Sequence, residues 1–322
     1  MITGMNRFFK RSTIGLICLA TLGTGMTACD ETSGNPSGQP EGPSKDSVNL
    51  KFETPTSNWT EQWLDHTKDL SLVYYNEDVV IYYDSEMPRT TTWNYGFMTR
   101  VWQYVKTVYG DFGKENRLYV VCHAAEDHIG RTGNIFDKAT TYRSLSDVTG
   151  NADDWTEQSY WALDAQVHEV GHVVEGSSHG VHESPAFDIW RDSKWAEIFQ
   201  YDVYMGIGRT EDADRLYTQY MDVKESFPAP DTYWFRDWFF PIYDDHGKSE
   251  VLNKFLELLS QHFPKENDSY NGKKLNMGEF VHFWSGAAET DLTDLATDAF
   301  GWTPEWQAEL DKAKADFPGI VY

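Results

Sequence analysis

Residues Ala165–Gly176 read AQVHEVGHVVEG. Two histidines, His168 and His172, stand four positions apart in it. Positions i and i+4 share one face of an α-helix, so both imidazoles reach the same ion. Ala165, Val167, Val170, Val173 and Val174 make the segment apolar enough to be buried. A buried helix does not carry two histidines and a glutamate without partners, because each unpaired polar group costs about 1–3 kcal/mol. Zinc suits nitrogen ligands in tetrahedral geometry, and a catalytic site leaves one position for water. Glu169 follows the first histidine and is turned partly aside, placed to accept a proton rather than to bind the ion. Gly171 costs up to about 1 kcal/mol of helix propensity, which implies close approach by something else.

Two nitrogens need a third ligand, and three sources compete. Glu197 is the single acid among Trp195, Ile198 and Phe199 in DSKWAEIFQYDVY (Asp192–Tyr204). That segment reads as a helix, and antiparallel packing on the first helix would aim the carboxylate at the histidines. His179 resembles the last ligand of a metzincin pattern with one residue inserted, with Met205 as a possible Met-turn. Glu175, His182 and Glu183 lie at the helix end and in the connecting loop, where acids are usually solvated.

His-Glu-x-x-His followed by an acid on the next helix resembles the gluzincin metallopeptidases of the thermolysin superfamily. The resemblance implies one catalytic Zn²⁺ on His168, His172 and Glu197, with Glu169 as general base in peptide-bond hydrolysis. It also implies that YRSLSDVTG (Tyr142–Gly150) is the substrate-binding edge strand. Two departures stand out. The loop between the helices is longer than in thermolysin. The acid that thermolysin-type enzymes place one turn after the glutamate ligand is here Tyr201, with Asp202 one residue later. The partner of His168 is therefore open. Candidates for an oxyanion donor are His246, His282, Tyr201, Tyr204 and Tyr243.

The N-terminus reads as an export signal. Arg7, Lys10 and Arg11 precede the short apolar run TIGLICLATLGTG. Met26–Cys29, MTAC, resembles a bacterial lipobox, which implies cleavage after Ala28 and lipidation of Cys29. Asp30–Ser47 is rich in Gly, Ser and Pro and reads as a flexible tether. The expected organisation is a signal peptide over 1–28, a lipidated cysteine and linker over 29–47, and a zincin-like metallopeptidase domain over 48–322. The expected place is the bacterial cell envelope, on the outer membrane or the cell surface. The membrane is reached through the anchor at Cys29, and the substrate is a peptide, protein or glycoprotein. The net charge of −24 repels phosphate backbones and argues against a nucleic-acid partner. Cys122 is the one cysteine left in the mature domain, which must fold without disulfides.

Patterning gives an α+β chain. Strands are expected in VNLKFE (Val48–Glu53), in two runs of LSLVYYNEDVVIYYD broken at Asn76–Asp78, in RLYVVCHA (Arg117–Ala124) and in Tyr142–Gly150. A short helix is expected in SNWTEQWLDHTKDL (Ser57–Leu70) and a long one ending at Gly110. Further helices are expected at Thr156–Glu175, Ser193–Met205, Ser249–His262, Met277–Ala288 and Pro304–Asp316. The aromatic stretch Tyr233–Pro241 reads as core. A non-catalytic zincin-fold lipoprotein that binds peptide or glycan is the rival function. The intact Glu169 argues against it, since a binder needs no base.

Overall fold

Asn76 turns the chain back on itself: its side-chain oxygen accepts the backbone N–H groups of Asp78 and Val79 at 2.7 and 2.8 Å. The hairpin it closes belongs to a mixed sheet of six strands. These are β1 (Asn58–Thr60), β2 (Asp69–Tyr75), β3 (Val79–Tyr83), β4 (Leu118–Ala124), β5 (Ile129–Gly133) and β6 (Ser144–Gly150). Their spatial order is β1-β2-β3-β4-β6-β5. The central β3, β4 and β6 run parallel, and β1, β2 and β5 are antiparallel to their neighbours. The structure, a computed structural model, describes residues 51–63, 67–110 and 112–322. The expected signal peptide, Cys29 and the tether lie outside the described residues.

Side chains alternate across the strands, and each face buries its own core. Val79, Ile81, Tyr83, Val120, Cys122 and Val148 face the helical side. Here pack α1 (Trp93–Tyr109) and, after the short α2 (Ala152–Thr156), α3 (Tyr160–Ser177). Val80, Tyr82, Tyr119, Val121 and Leu145 point the other way and are covered by Trp63 and Leu70. Burial raises the Cys122 thiol well above its usual range. It is therefore an inert core group.

The rest of the chain is helical: α4 (Phe187–Trp190), α5 (Lys194–Gly206), α6 (Thr210–Tyr220), α7 (Phe240–Asp245), α8 (Ser249–His262), α9 (Met277–Ala288), α10 (Thr293–Phe300) and α11 (Pro304–Asp316). A π-helical turn, Phe235–Phe239, leads into α7. It buries Trp234, Phe235, Trp238 and Phe239 in the core. Thr303 caps α11 by accepting the Trp306 N–H at 3.2 Å, and Pro304 opens the helix. The class is α+β, as the patterning implies. No helix among the described residues is long and apolar enough to cross a membrane.

Three local readings change. Ser57–Leu70 holds no helix among its described residues, because Asn58–Thr60 pairs with β2 as β1. Residues 51–53 are not strand, and Val48–Leu50 lie outside the described residues. Tyr142–Gly150 is not an edge: β6 is bonded to β4 on one side and β5 on the other, and all seven of its residues are buried. Its alternating serines and aspartate imitate a half-solvated strand. The edge is β5, whose sequence IGRTG has too little β propensity to be read as a strand.

Asp202 ties α1, α5 and α7 together. Its Oδ1 accepts Tyr104 and Tyr243 hydroxyls at 2.9 and 3.0 Å, and its Oδ2 accepts Tyr109 at 2.7 Å. Burial raises the carboxyl from its ordinary 3.8 to about 6, although the three hydroxyls pull it down. A carboxyl raised on folding contributes stability below its unfolded pKa, and that contribution is lost as pH rises through the folded value. Wild type should therefore lead Asp202→Asn in melting temperature by more at about pH 4 than at about pH 7. The difference should be at most about 3 kcal/mol, and paired thermal melts at the two pH values measure it.

Candidate metal centre

Helix α3 starts where the Ser159 hydroxyl accepts the Ala162 N–H at 3.1 Å. It then runs between the sheet and α5. On one side the Ser146 hydroxyl of β6 donates to the Gln166 carbonyl at 3.3 Å. On the other, Trp195 Nε1 donates to the Gly171 carbonyl at 3.4 Å and Gln200 Nε2 to the Asp164 carbonyl at 2.8 Å. The two helices are therefore antiparallel, as the sequence implies. A Cβ on Gly171 would meet the Phe199 ring at 3.0 Å, so this glycine makes room for α5.

On the remaining face, His168 Nε2 and His172 Nε2 lie 3.1 Å apart. Two tetrahedral zinc ligands at 2.0–2.1 Å are separated by about 3.3 Å, so the spacing fits one shared ion. His172 Nδ1 lies 3.0 Å from Glu175 Oε2, and the other oxygen of Glu175 accepts the buried Trp190 indole N–H at 2.5 Å. A carboxylate behind a ligating imidazole fixes its orientation and raises its basicity. Glu175 is only 6% exposed, so it is not the solvated acid expected at the helix end. Its place three residues after His172, on the same face, was the available signal.

A third donor atom within reach of the pair comes from a loop. His168, His172 and Asp192 present ligand atoms that all lie within 4.8 Å of one another. Asp192 Oδ1 is 3.5 Å from His172 Nε2. Asp192 follows Arg191, whose backbone is left-handed at φ 56°. Glu197 does not belong to this group. It is buried on the first turn of α5. Burial and the nearby Glu225 raise its carboxyl to about 8, against the pull of Lys194. Asp192 immediately precedes the helix expected at Ser193–Met205, and the sequence around it carries no ligand signal.

Glu169 is held between α3 and the edge strand. Its Oε2 accepts the Thr132 hydroxyl of β5 at 2.6 Å. A Cβ on Gly130 would lie 1.9 Å from Glu169 Oε1, so a side chain there would displace this carboxylate. Burial raises the Glu169 carboxyl to about 7, while His172 and Thr132 draw it down. Burial and the neighbouring imidazole lower His168 to about 3. Burial also opposes charge on His172, but Glu175 outweighs it and raises that imidazole to about 9. The pair thus keeps one neutral imidazole beside one that is drawn toward charge, the condition that a bound cation would replace.

Several of the other candidates are engaged elsewhere. His179 Nε2 bonds Asn253 Oδ1 at 2.9 Å, and Glu183 accepts the Gly272 N–H at 2.8 Å. Tyr204 donates to Asp164 and Tyr243 to Asp202. His282 lies beside the Tyr322 hydroxyl, and Tyr201 packs among Tyr217, Phe235, Phe240 and Tyr243. Asp202, bonded to tyrosines, is not the partner of His168.

No protein-family model matches the chain, and a search of curated proteins returns no match. Among solved structures, it is similar to a functionally unknown conserved protein mutant from Bacillus anthracis str. Ames, at 12% identity and a TM-score of 0.43. The likeness covers 76% of this chain and 52% of that one, so the chain spans about half of that structure's length.

The hydrogen bond behind His172 gives a direct test. Replacing Glu175 with Ala should weaken zinc binding by about 10–100-fold, read by competition with a chromophoric chelator. Unchanged affinity would show that the carboxylate does not support a ligand.

Proposed function

We propose that the chain is a zinc-dependent metallopeptidase, lipid-anchored at Cys29 in a bacterial cell envelope. The observation that supports this most is the pair of Nε2 atoms 3.1 Å apart with a buried carboxylate from the intervening turn beside them. His168, His172 and Asp192 would hold the ion. Bound there, zinc would supply Lewis acidity for the scissile carbonyl and acidify water. Glu169 accepts the proton of the attacking water and delivers it to the leaving nitrogen. Thr132 and Gly130 fix the direction of its carboxylate. β5 is the edge of the sheet on the same side, and an extended peptide laid along it would pass Glu169. This supports a peptide or protein substrate.

A second reading keeps Glu197 as the ligand, the gluzincin arrangement. It is favoured by the burial of Glu197 on the helix that packs against α3, whereas the Asp192 side chain is 56% exposed. Asp192→Ala should lower zinc affinity by at least about 10-fold and Glu197→Ala should leave it near wild type, both read by competition titration. The reverse result would transfer the role to Glu197.

Hydrolysis is tested at Glu169. Glu169→Gln preserves side-chain size and removes no ligand, so zinc content should stay and peptide turnover should fall by about 10²–10⁴-fold. Equal turnover in both proteins would exclude Glu169 as the base. Zinc bound with no turnover of a broad peptide library in either would favour the non-catalytic binding lipoprotein.

A further inference from the structure

The opposite face of the sheet carries a second set of donor atoms. Glu61 follows β1, His123 is near the end of β4, and Asp147 is central in β6. Glu61 Oε2, His123 Nε2 and Asp147 Oδ1 all lie within 4.8 Å of one another. His123 Nε2 is 3.4 Å from the glutamate oxygen and 3.2 Å from the aspartate oxygen. All three side chains are wholly buried. Strand alternation puts His123 and Asp147 on the face of Tyr119, Val121 and Leu145, away from α3. The group is therefore separate from the histidine pair.

The surroundings are those of a ligand set. Asp147 Oδ2 accepts the Trp63 indole N–H at 2.8 Å, and Glu61 Oε1 accepts the Lys68 backbone N–H at 2.9 Å. His123 Nδ1 faces Asp84 Oδ2 at 3.1 Å, and that oxygen also takes Lys68 Nζ at 2.9 Å. Each donor residue is thus anchored through its other polar atom, which orients the inward one. Asp147 Oδ1 points into the group and accepts no hydrogen bond among the described residues. The separations of 3.2 and 3.4 Å match the edge of a tetrahedron of ligands at 2.0–2.1 Å, about 3.3 Å.

Glu61, Asp84 and Asp147 bring three carboxylates into the interior around His123, and Lys68 pairs with Asp84.

We propose that Glu61, His123 and Asp147 form a second, structural site for a divalent transition-metal cation, tying the chain after β1 to β4 and β6. Two carboxylates and one imidazole suit zinc or manganese. The site serves folding: the segment that carries Glu61 and Trp63 covers the smaller core, and the cation crosslinks it to the sheet. The competing state is a metal-free cluster held by protonated His123. Burial opposes that charge, but Asp147, Asp84 and Glu61 outweigh it and raise the imidazole to about 11.

The test uses the full chain with His168→Ala and His172→Ala, so that its outcome does not depend on the proposed catalytic centre. The protein is unfolded, refolded with Zn²⁺, dialysed and analysed for metal. The expected content is about one zinc per chain, lost on further substitution by Asp147→Asn. Co²⁺ in place of zinc should give the intense visible absorption of a tetrahedral site, lost with the same substitution. A folded double variant without metal would overturn the proposal, and so would metal that survives Asp147→Asn. If Asp147→Asn does not fold, the double variant refolded with zinc is compared with the same protein refolded with chelator. A higher melting temperature with zinc supports the site, and identical melting overturns it.

Discussion

Burial of α3 on two sides, between β5–β6 and α5, is the constraint on which the rest depends. A helix so enclosed cannot leave polar side chains to water, and each must find a partner in the protein. Thr132 serves Glu169, and Glu175 serves His172. The same enclosure separates the protonation of two histidines that would titrate together in water: His168 falls to about 3 and His172 rises to about 9. Glu169 rises to about 7. Desolvation alone would lower both histidines. The difference between them comes first from the carboxylate of Glu175, held in turn by Trp190, with Glu169 and Asp192 adding to it.

What was legible in the sequence is what helical periodicity encodes. The i, i+4 spacing of His168 and His172 places them together, and the five helices expected in the C-terminal half all form. The antiparallel arrangement of α3 and α5 and the close approach at Gly171 were legible for the same reason. Hidden were the features set by tertiary contact. Gly130 and Gly133 disguise β5, yet Gly130 leaves the space in which the Glu169 carboxylate sits. β1 is short and lies in a stretch whose apolar spacing also fits a helix. α6 and α10 carry too many polar residues to stand out from the loops beside them.

Asp192 illustrates how a loop residue can be placed without a helix or strand of its own. Trp190, two residues earlier, stacks on Trp195 with ring centroids 5.1 Å apart and donates its indole N–H to Glu175. Lys194 begins α5 two residues later. The intervening turn is pinned at both ends, and the left-handed backbone of Arg191 sets its direction. An exposed carboxylate is thereby held near two histidines on another element. No local pattern encodes that position. It follows from a tryptophan that binds the same glutamate as the second histidine.

β6 joins the two faces of the sheet. Ser146 points toward α3 and donates to the Gln166 carbonyl, while the next residue, Asp147, points into the smaller core and accepts from Trp63. In an ordinary edge strand such polar residues would be turned to solvent, which is what the alternation implies. Here both faces are covered, so a polar side chain on the strand is costly unless a different layer matches it. Ser146 is matched by the backbone of the helix that carries His168 and His172. Asp147 is matched by the segment that closes the opposite core. A polar, alternating strand in the middle of a sheet therefore marks places where the protein has a specific group to satisfy. In this chain it marks both the face that carries the histidine pair and the face that carries the buried carboxylate cluster.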